Sequence, residues 1–327
     1  MSSSNTIFIA LASYVEPELD LTIQDAIDKA VHPGNLRFGI CHQYDVDGGP
    51  GINENTIDHR IPDRRFRIMK FDHRESQGGC WARHLVQTMY ADEAYTLQVD
   101  AHSRFEPGWD ETLIRMMDEL PSAKPLLTGF PVLYFRENEV DIFPPRDSMT
   151  NFNTTVCERW SPEGWIHHPT REIRENNRFP RRTRFLSGAF VFTLGLWNRE
   201  VMQDPQHYYT GEEFALTLRS YTSGYDLFNT DRIVVWHRCH PTPNRKHFTD
   251  NPGQPSNELH ARAVKRLQAL MNNDPDEILG RYGLGSERTL KDFFVFSGLD
   301  CSRFEAHPDA VNGVPPDPVT IKESLHQ

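Results

Sequence analysis

The first half of the chain alternates apolar segments with amphipathic ones, and this order constrains the fold more than any other feature. Residues 6–13, 36–45, 65–72 and 95–100 are apolar and rich in residues that favour β-strands. Segments with apolar residues at helical spacing follow three of these strands. Strands separated by helices of this length form βαβ units with parallel strands. The sequence therefore predicts an α/β fold with a central, mostly parallel sheet flanked by helices.

The helix predicted after the first strand carries a pattern that is typical of a helix start. Thr22 lies near its beginning, and Asp25 follows three residues later. In a capping box, a Ser or Thr side chain and an acid at this spacing bind the free N–H groups of the first turn. We expect Thr22 and Asp25 to cap this helix.

The regular order weakens in the second half of the chain. Residues 136–183 are rich in Pro, Asn, Arg and Glu and show little periodicity, so we expect a loop-rich insertion. Strand and helix patterns then resume, and a Pro-rich break at 241–256 precedes a mostly helical tail. We expect residues 1–250 to form the main domain and residues 251–327 to form a C-terminal helical extension that packs on it.

Composition excludes several classes of partner. The formal net charge of −11 argues against binding to nucleic acids or to an anionic membrane surface. The five cysteines are scattered and form no CxxC pair, which is typical of reduced thiols in the cytoplasm. The apolar run at residues 7–12 is too short for a membrane span or a signal peptide. We expect a cytoplasmic protein without a membrane span or a nucleic-acid partner.

The end of the strand at residues 95–100 carries a carboxylate and an imidazole, Asp100 and His102. Side chains two apart on a strand project to the same side, so both groups can reach one point. Together they suit a divalent first-row cation, and ligands of α/β sheets gather beyond the carboxyl ends of the strands. The alternative is that Asp100 caps a turn and His102 is a solvated loop residue.

Further polar residues lie at corresponding positions of other elements. The helix that begins at Gly78 and Gly79 offers free N–H groups, with Arg83 close behind, and this pattern suits a diphosphate. Glu212 and Glu213 open another helix, where acids also favour the helix dipole without any further role.

His237 ends a second apolar strand and could supply a third metal ligand. With Cys239 and His240 it could instead belong to a zinc site, although no further cysteine pair lies nearby.

These motifs together resemble a known family. The chain resembles the GT-A-fold glycosyltransferases, and most closely the Skp1 hydroxyproline GlcNAc-transferase family, over residues 6–305. The resemblance rests on the segments IFIALASY, FGICHQYD, QGGCWAR, LQVDAHSRF, GEEFALTLRSYTSGYDLF and RYGLGSERTLKDFFVFSGLD. It implies a GT-A domain over residues 1–250 and a UDP-sugar as donor.

The resemblance also implies roles for individual residues. Asp100, His102 and His237 would hold Mn²⁺ or Mg²⁺ against the donor diphosphate, with His240 as a rival for the third ligand. Glu212 or Glu213 would lie near the sugar and the acceptor. The donor-binding residues implied by the resemblance are Ser13, Tyr14, Gln43, Arg74, Gly78, Arg83 and Asp100.

The expected activity is therefore metal-dependent, retaining transfer of a sugar, most closely GlcNAc, from a UDP-sugar to a hydroxyl group. The acceptor is either a protein, through hydroxyproline, Ser or Thr, or a growing glycan such as a capsule or cell-surface polysaccharide. A catalytically silent sugar-nucleotide-binding module and a metal-dependent hydrolase are the alternatives from other classes.

Overall fold

A computed structural model of the protein describes residues 5–48, 65–144, 152–161, 166–173, 180–239, 245–273 and 279–316. The strands in these residues are β1 (Ile7–Tyr14), β2 (Leu36–Tyr44), β3 (Phe66–Asp72), β4 (Tyr95–Val99), β5 (Ser103–Phe105), β6 (Pro125–Thr128), β7 (Val132–Glu137), β8 (Val140–Ile142), β9 (Phe152–Thr155), β10 (Arg159–Trp160), β11 (Ile166–His167), β12 (Thr170–Ile173), β13 (Arg181–Arg182), β14 (Phe190–Leu194), β15 (Asp226–Asn229), β16 (Val235–Arg238), β17 (Leu299–Asp300) and β18 (Glu305–Ala306). The α-helices are α1 (Leu19–Lys29), α2 (Gly79–Thr88), α3 (Trp109–Glu119), α4 (Trp197–Glu200), α5 (Glu212–Thr222), α6 (His247–Asp250), α7 (Gln254–Asn272), α8 (Leu290–Ser297) and α9 (Pro308–Asn312).

A central sheet of eight strands dominates the described residues, in the order β13-β15-β6-β14-β4-β1-β2-β3. Strands β1 to β4, β6 and β15 run parallel, whereas β14 and β13 run antiparallel to their neighbours. The predicted α/β fold with a mostly parallel sheet is therefore confirmed. The near-continuous apolar character of β1 follows from this position, because both faces of a central parallel strand are covered.

The two faces of β1 show how the helices sandwich the sheet. Ile7, Ile9 and Leu11 belong to the large core that also contains apolar residues of α1 and α3. Phe8 and Ala10, which alternate with them, pack with Ala82, Val86 and other residues of α2. Since α2 lies on the opposite face from α1 and α3, each helix covers its own side of the parallel strands.

The predicted capping box at Thr22 and Asp25 is wrong. α1 begins at Leu19, so both residues lie inside the helix. The hydroxyl of Thr22 lies 2.9 Å from the carbonyl oxygen of Ala101, and Oδ2 of Asp25 accepts from the backbone N–H of Phe105 at 2.6 Å. These side chains tie α1 to the segment that follows β4.

A smaller, four-stranded sheet with the order β5-β16-β7-β8 lies beside the central one. β16 runs antiparallel to β5 and parallel to β7. Within the loop-rich region expected at 136–183, the described residues also form short antiparallel pairs, β9 with β12 and β10 with β11.

The tail of the chain packs on α5. One buried cluster joins Phe214 and Leu218 of α5 with Leu267 of α7 and Phe293 of α8. The division into a main domain and an extension at residue 250 stays a prediction. Among the described residues, no helix combines the length and the apolar character that crossing a membrane requires.

Candidate active site

Asp100, His102 and His237 converge on one point, as predicted. One ligand atom from each residue lies within 4.8 Å of the other two. The Nε2 atoms of His102 and His237 are 2.9 Å apart, and Nε2 of His237 lies 3.2 Å from Oδ2 of Asp100. The three side chains form the one metal-type cluster found in the described part of the chain.

The backbone reason for this convergence differs from the expected strand alternation. β4 ends at Val99, and Asp100 to His102 form the turn that leads into β5. His237 lies in the small sheet, where it is opposite Ser103 in the ladder between β16 and β5. The turn bends Asp100 and His102 towards a strand that the central sheet does not contain.

Glu16 orients one of the two imidazoles. Its Oε2 lies 3.0 Å from Nδ1 of His102, which leaves Nε2 of His102 directed at Asp100 and His237. A carboxylate on the second ring nitrogen is the usual support of a metal-binding histidine, because it fixes the tautomer and raises the basicity of the other nitrogen. In the sequence, Glu16 is distinguished only by its place in the acidic segment directly after β1.

The donor set fits a divalent cation of the first transition row. One carboxylate oxygen and two imidazole nitrogens are typical ligands of such ions. Two imidazole nitrogens that face each other at 2.9 Å need either a proton shared between them or a cation bound by both. Burial lowers the pKa of His102, but the hydrogen bond with Glu16 and the charge of Asp100 raise it to a net value above the ordinary one. The same negative surroundings favour a bound cation.

Arg83 connects the cluster to the helix α5. Its guanidinium donates to Oδ1 of Asp100 at 3.1 Å and also binds the carboxylate of Glu212. Burial would raise the pKa of Asp100, but the hydrogen bond with His237 and the charge of Arg83 hold it well below its usual value. Asp100 is therefore a carboxylate at neutral pH.

A cleft of about 900 Å³ opens over these residues. Tyr14 and Gly79 line one part of it, and Tyr209 and His168 line another. Gly79 is the first residue of α2, so the N-terminal end of a ten-residue helix faces the cleft. The cleft also contains the predicted residues Arg83, Asp100, His102, Glu212, Glu213 and His237.

Glu212 and Glu213 both line the cleft, but their surroundings differ. Gly211 precedes them with φ of 71°, and a Cβ there would overlap Cδ2 of Leu267, so only glycine suits this start of α5. Glu212 is paired with Arg83. Glu213 accepts from the backbone N–H of Gly188 at 2.7 Å, and burial raises its pKa to about 7.

The residues expected to contact the uridine lie at the ends of β1 and β2. Tyr14 lines the cleft, and its hydroxyl donates to Oδ2 of Asp250 at 2.7 Å. Ser13 and Gln43 are buried and do not line the cleft among the described residues. The side chain of Gln43 donates to the carbonyl oxygen of Ser13 at 2.9 Å, so this pair stiffens the strand ends behind Tyr14.

Other expected site residues lie elsewhere. Arg74 is exposed and binds the carboxylates of Asp72 and Asp47, and the cleft lining in the described residues does not include it. Gly78 has φ of 102° and lies against the ring of Tyr208, so it shapes the entry to α2 through its backbone. His240 lies outside the described residues.

His168, which no sequence motif distinguishes, also lines the cleft. Its Nδ1 lies 3.1 Å from the carbonyl oxygen of Val156, and burial lowers its pKa to about 4. His168 is therefore neutral at physiological pH.

Comparisons with known proteins identify the family and the fold. A sequence profile described as Glycosyltransferase (GlcNAc) matches residues 6–63 and 57–303. No curated protein sequence matches the chain.

Among solved structures, the chain is similar to GalNAc-T7 with UDP, GalNAc and Mn²⁺, with a TM-score of 0.61 and 12% identity over 90% of this chain. The match covers 56% of the GalNAc-T7 chain. It is also similar to residues 1–349 of TarS from S. aureus in complex with UDP-GlcNAc, with a TM-score of 0.47 and 13% identity over 85% of this chain and 72% of that one.

The sheet order and the likeness to GalNAc-T7 define the fold class, which is that of the GT-A glycosyltransferases. The profile match spans most of the chain, and the protein therefore belongs to the Glycosyltransferase (GlcNAc) family.

Proposed function

We propose that the protein is a metal-dependent, retaining glycosyltransferase that moves GlcNAc from UDP-GlcNAc to a hydroxyl group of a protein. The observation that carries this proposal is the convergence of Asp100, His102 and His237 beside Arg83 in one large cleft. Within the family, a Skp1-type hydroxyproline acceptor is the specific proposal, and it rests on the sequence resemblance. A cytoplasmic location is supported by the five cysteines, all of which are free.

Asp100, His102 and His237 would hold the cation, Mn²⁺ or Mg²⁺. When bound, the cation supplies electrostatic stabilisation of the negative charge that develops on a departing diphosphate. GalNAc-T7, which shares the fold, was crystallised with UDP and Mn²⁺, and this supports the choice of donor class and metal.

The protein's own groups would complete the donor site. Arg83 is held by two carboxylates at the edge of the cluster, where its charge can stabilise a diphosphate. The N-terminal end of α2 at Gly79 adds free backbone N–H groups on the same side of the cleft. Tyr14, at the end of β1, is placed to contact the uridine, and Ser13 and Gln43 support it from behind.

Glu212 is proposed to position the reacting groups rather than to attack the sugar. Its carboxylate is already paired with Arg83, so its negative charge is engaged in an ion pair. In the proposed reaction the acceptor hydroxyl attacks from the face that the diphosphate leaves, and the diphosphate oxygen receives the acceptor's proton. No covalent intermediate with Glu212 or Glu213 is required, and a trapped glycosyl-enzyme at either residue would contradict this assignment.

Release of UDP from UDP-GlcNAc tests the proposal. Purified protein with Mn²⁺ should release UDP, and a suitable acceptor should increase the rate. A rate that no protein or glycan acceptor increases would instead support a hydrolase. Absence of both nucleotide binding and turnover would support a silent binding module. UDP-glucose and UDP-GalNAc, assayed under the same conditions, test the choice of donor sugar.

A further inference from the structure

The hairpin of β7 and β8 carries apolar side chains on its exposed face. Leu133, Phe135, Val140 and Ile142 expose 36%, 44%, 62% and 43% of their surface. Phe135 lies opposite Ile142 in the antiparallel ladder, and Val140 and Leu133 follow at the spacing of two that keeps side chains on one face. Single exposed apolar residues are common, but a contiguous group marks an interaction surface. We call these four residues the hairpin face.

The opposite face of the same hairpin turns inward and carries the buried ring of Tyr134 and the half-buried side chains of Arg136 and Asp141. Arg136 donates to Asp141 at 2.6 Å, and Asp141 also accepts from Arg104 at 2.7 Å. Arg104 in turn donates to Glu18 at 2.5 Å. A shift of the strand by one residue would break this ion network, so the network fixes which side of the hairpin faces inward. The apolar side is therefore held outward.

The hairpin face is continuous with the candidate active site. β7 runs parallel to β16, and Leu133 lies opposite the metal-site residue His237 in their ladder. Leu133 and His237 also line the same cleft. A molecule that lies along the hairpin face can thus extend directly into the cleft beside the metal cluster.

We propose that the hairpin face docks the acceptor, and that the docked part is an apolar polypeptide segment with basic residues at its end. This inference rests on the proposed function, because it names the acceptor class of the same site. Three of the four side chains are aliphatic and none of the four offers a hydrogen bond to a sugar hydroxyl, so the face suits an apolar segment better than a glycan. Glu137 and Glu139 are exposed where the hairpin turns, and they complement basic residues and repel an anionic membrane.

A second copy of this chain is the less suitable occupant. Leu133 belongs both to the hairpin face and to the cleft, so a permanent partner on this face would crowd the route to His237. An acceptor segment binds there transiently and leaves after transfer.

Peptide binding tests the surface independently of turnover. The probe is a short fluorescent peptide with one threonine between leucine and phenylalanine residues and with lysines at its end. A matched peptide replaces the apolar residues by asparagine and glycine. The protein variant is the double substitution Phe135→Ser and Ile142→Ser. The control is Val295→Ser, which changes an apolar residue on α8 that is even more exposed than the two hairpin residues.

Fluorescence anisotropy should show that the apolar peptide binds the wild-type protein at least about tenfold more tightly than the polar peptide. The double variant should lose this preference, whereas Val295→Ser should keep it. UDP release without acceptor, measured on the same proteins, should stay unchanged in the double variant.

The docking surface would be overturned if the wild-type protein binds both peptides equally, even if UDP release is normal. It would also be overturned if Val295→Ser loses the preference for the apolar peptide as fully as the double variant does. If the wild-type protein is a dimer and the double variant is a monomer, the hairpin face binds a second copy of the chain. This result would overturn the proposal. A large loss of thermal stability in the double variant would show that the hairpin face packs within the chain. This result would also overturn the proposal. If the wild-type protein prefers the apolar peptide but releases no UDP, the proposed function is contradicted and the docking surface is not.

Discussion

Glu16 and His102 lie 86 residues apart in the sequence, and Oε2 of Glu16 is 3.0 Å from Nδ1 of His102. The contact joins the end of β1 to the turn after β4, two neighbouring strands of the central sheet. It sets the orientation of a ring whose other nitrogen belongs to the metal cluster.

Glu16→Gln should weaken metal binding without removing a metal ligand. The amide cannot accept the ring proton as strongly, so affinity for Mn²⁺ should fall by about 10- to 100-fold. Calorimetric titration of the metal measures this effect. Glu119→Gln, on the exposed side of α3, is the matched control and should bind Mn²⁺ as the wild type does. Equal affinities for Glu16→Gln and wild type would show that the contact is only structural.

Asp100→Ala should abolish sugar transfer while the fold persists. The variant loses a proposed metal ligand, but Arg83 keeps its second partner Glu212 and no buried charge is left alone. We expect a melting temperature equal to that of the wild type or higher. Transfer assays and thermal unfolding of the same preparation check both statements. An unfolded variant would mean that Asp100 is structural.

Arg83 and Arg74 should differ sharply in their effect on turnover. Arg83→Lys retains the charge, but a single ammonium nitrogen does not reproduce the planar fork whose two terminal nitrogens reach Asp100 and Glu212. Loss of one such fixed donor lowers kcat by about 100- to 1,000-fold. Arg74→Lys should change kcat by less than about twofold, because Arg74 binds Asp72 and Asp47 on the exposed side of the turn after β3. Steady-state kinetics with UDP-GlcNAc distinguish the two, and equal losses would place Arg74 in the donor site.

Glu213→Gln should stabilise the protein at alkaline pH. The folded state raises the pKa of Glu213 from 4.5 to about 7, mainly through burial. Between these values the unfolded chain releases the proton first, so stability falls as pH rises and the whole penalty is present above pH 7. Removing the charge should restore about 1–3 kcal/mol at pH 8 and almost nothing at pH 4.

Urea unfolding at both pH values measures this difference. Glu305→Gln, an exposed position on β18, should show no such dependence on pH. If Glu213→Gln destabilises the protein at pH 8, the carboxylate is needed as a charged acceptor for Gly188.

The sequence predicted the layers of the fold and most of the metal cluster, for a physical reason. Parallel strands that are buried on both faces have nearly continuous apolar sequences. Polar residues at the end of such a sequence, such as Asp100 and His237, are therefore easy to recognise. Glu16 did not stand out, because its partner His102 is distant in the chain. Thr22 showed a local pattern that a tertiary contact with Ala101 overrides.

The small sheet was the main feature that periodicity could not predict. Its strands are short, and the hairpin of β7 and β8 places its polar side chains inward in an ion network. An alternating pattern shows which residues share a face of a strand, but it does not show which face is buried. Only the pairing with β16 establishes that Leu133 lies beside His237.

UDP release from UDP-GlcNAc by protein dialysed against EDTA shows whether the reaction needs a bound cation. We expect release to fall to background and to return when Mn²⁺ is added, and we expect no recovery of His237→Ala at the same Mn²⁺ concentration. Undiminished release in EDTA would contradict a cation held by Asp100, His102 and His237.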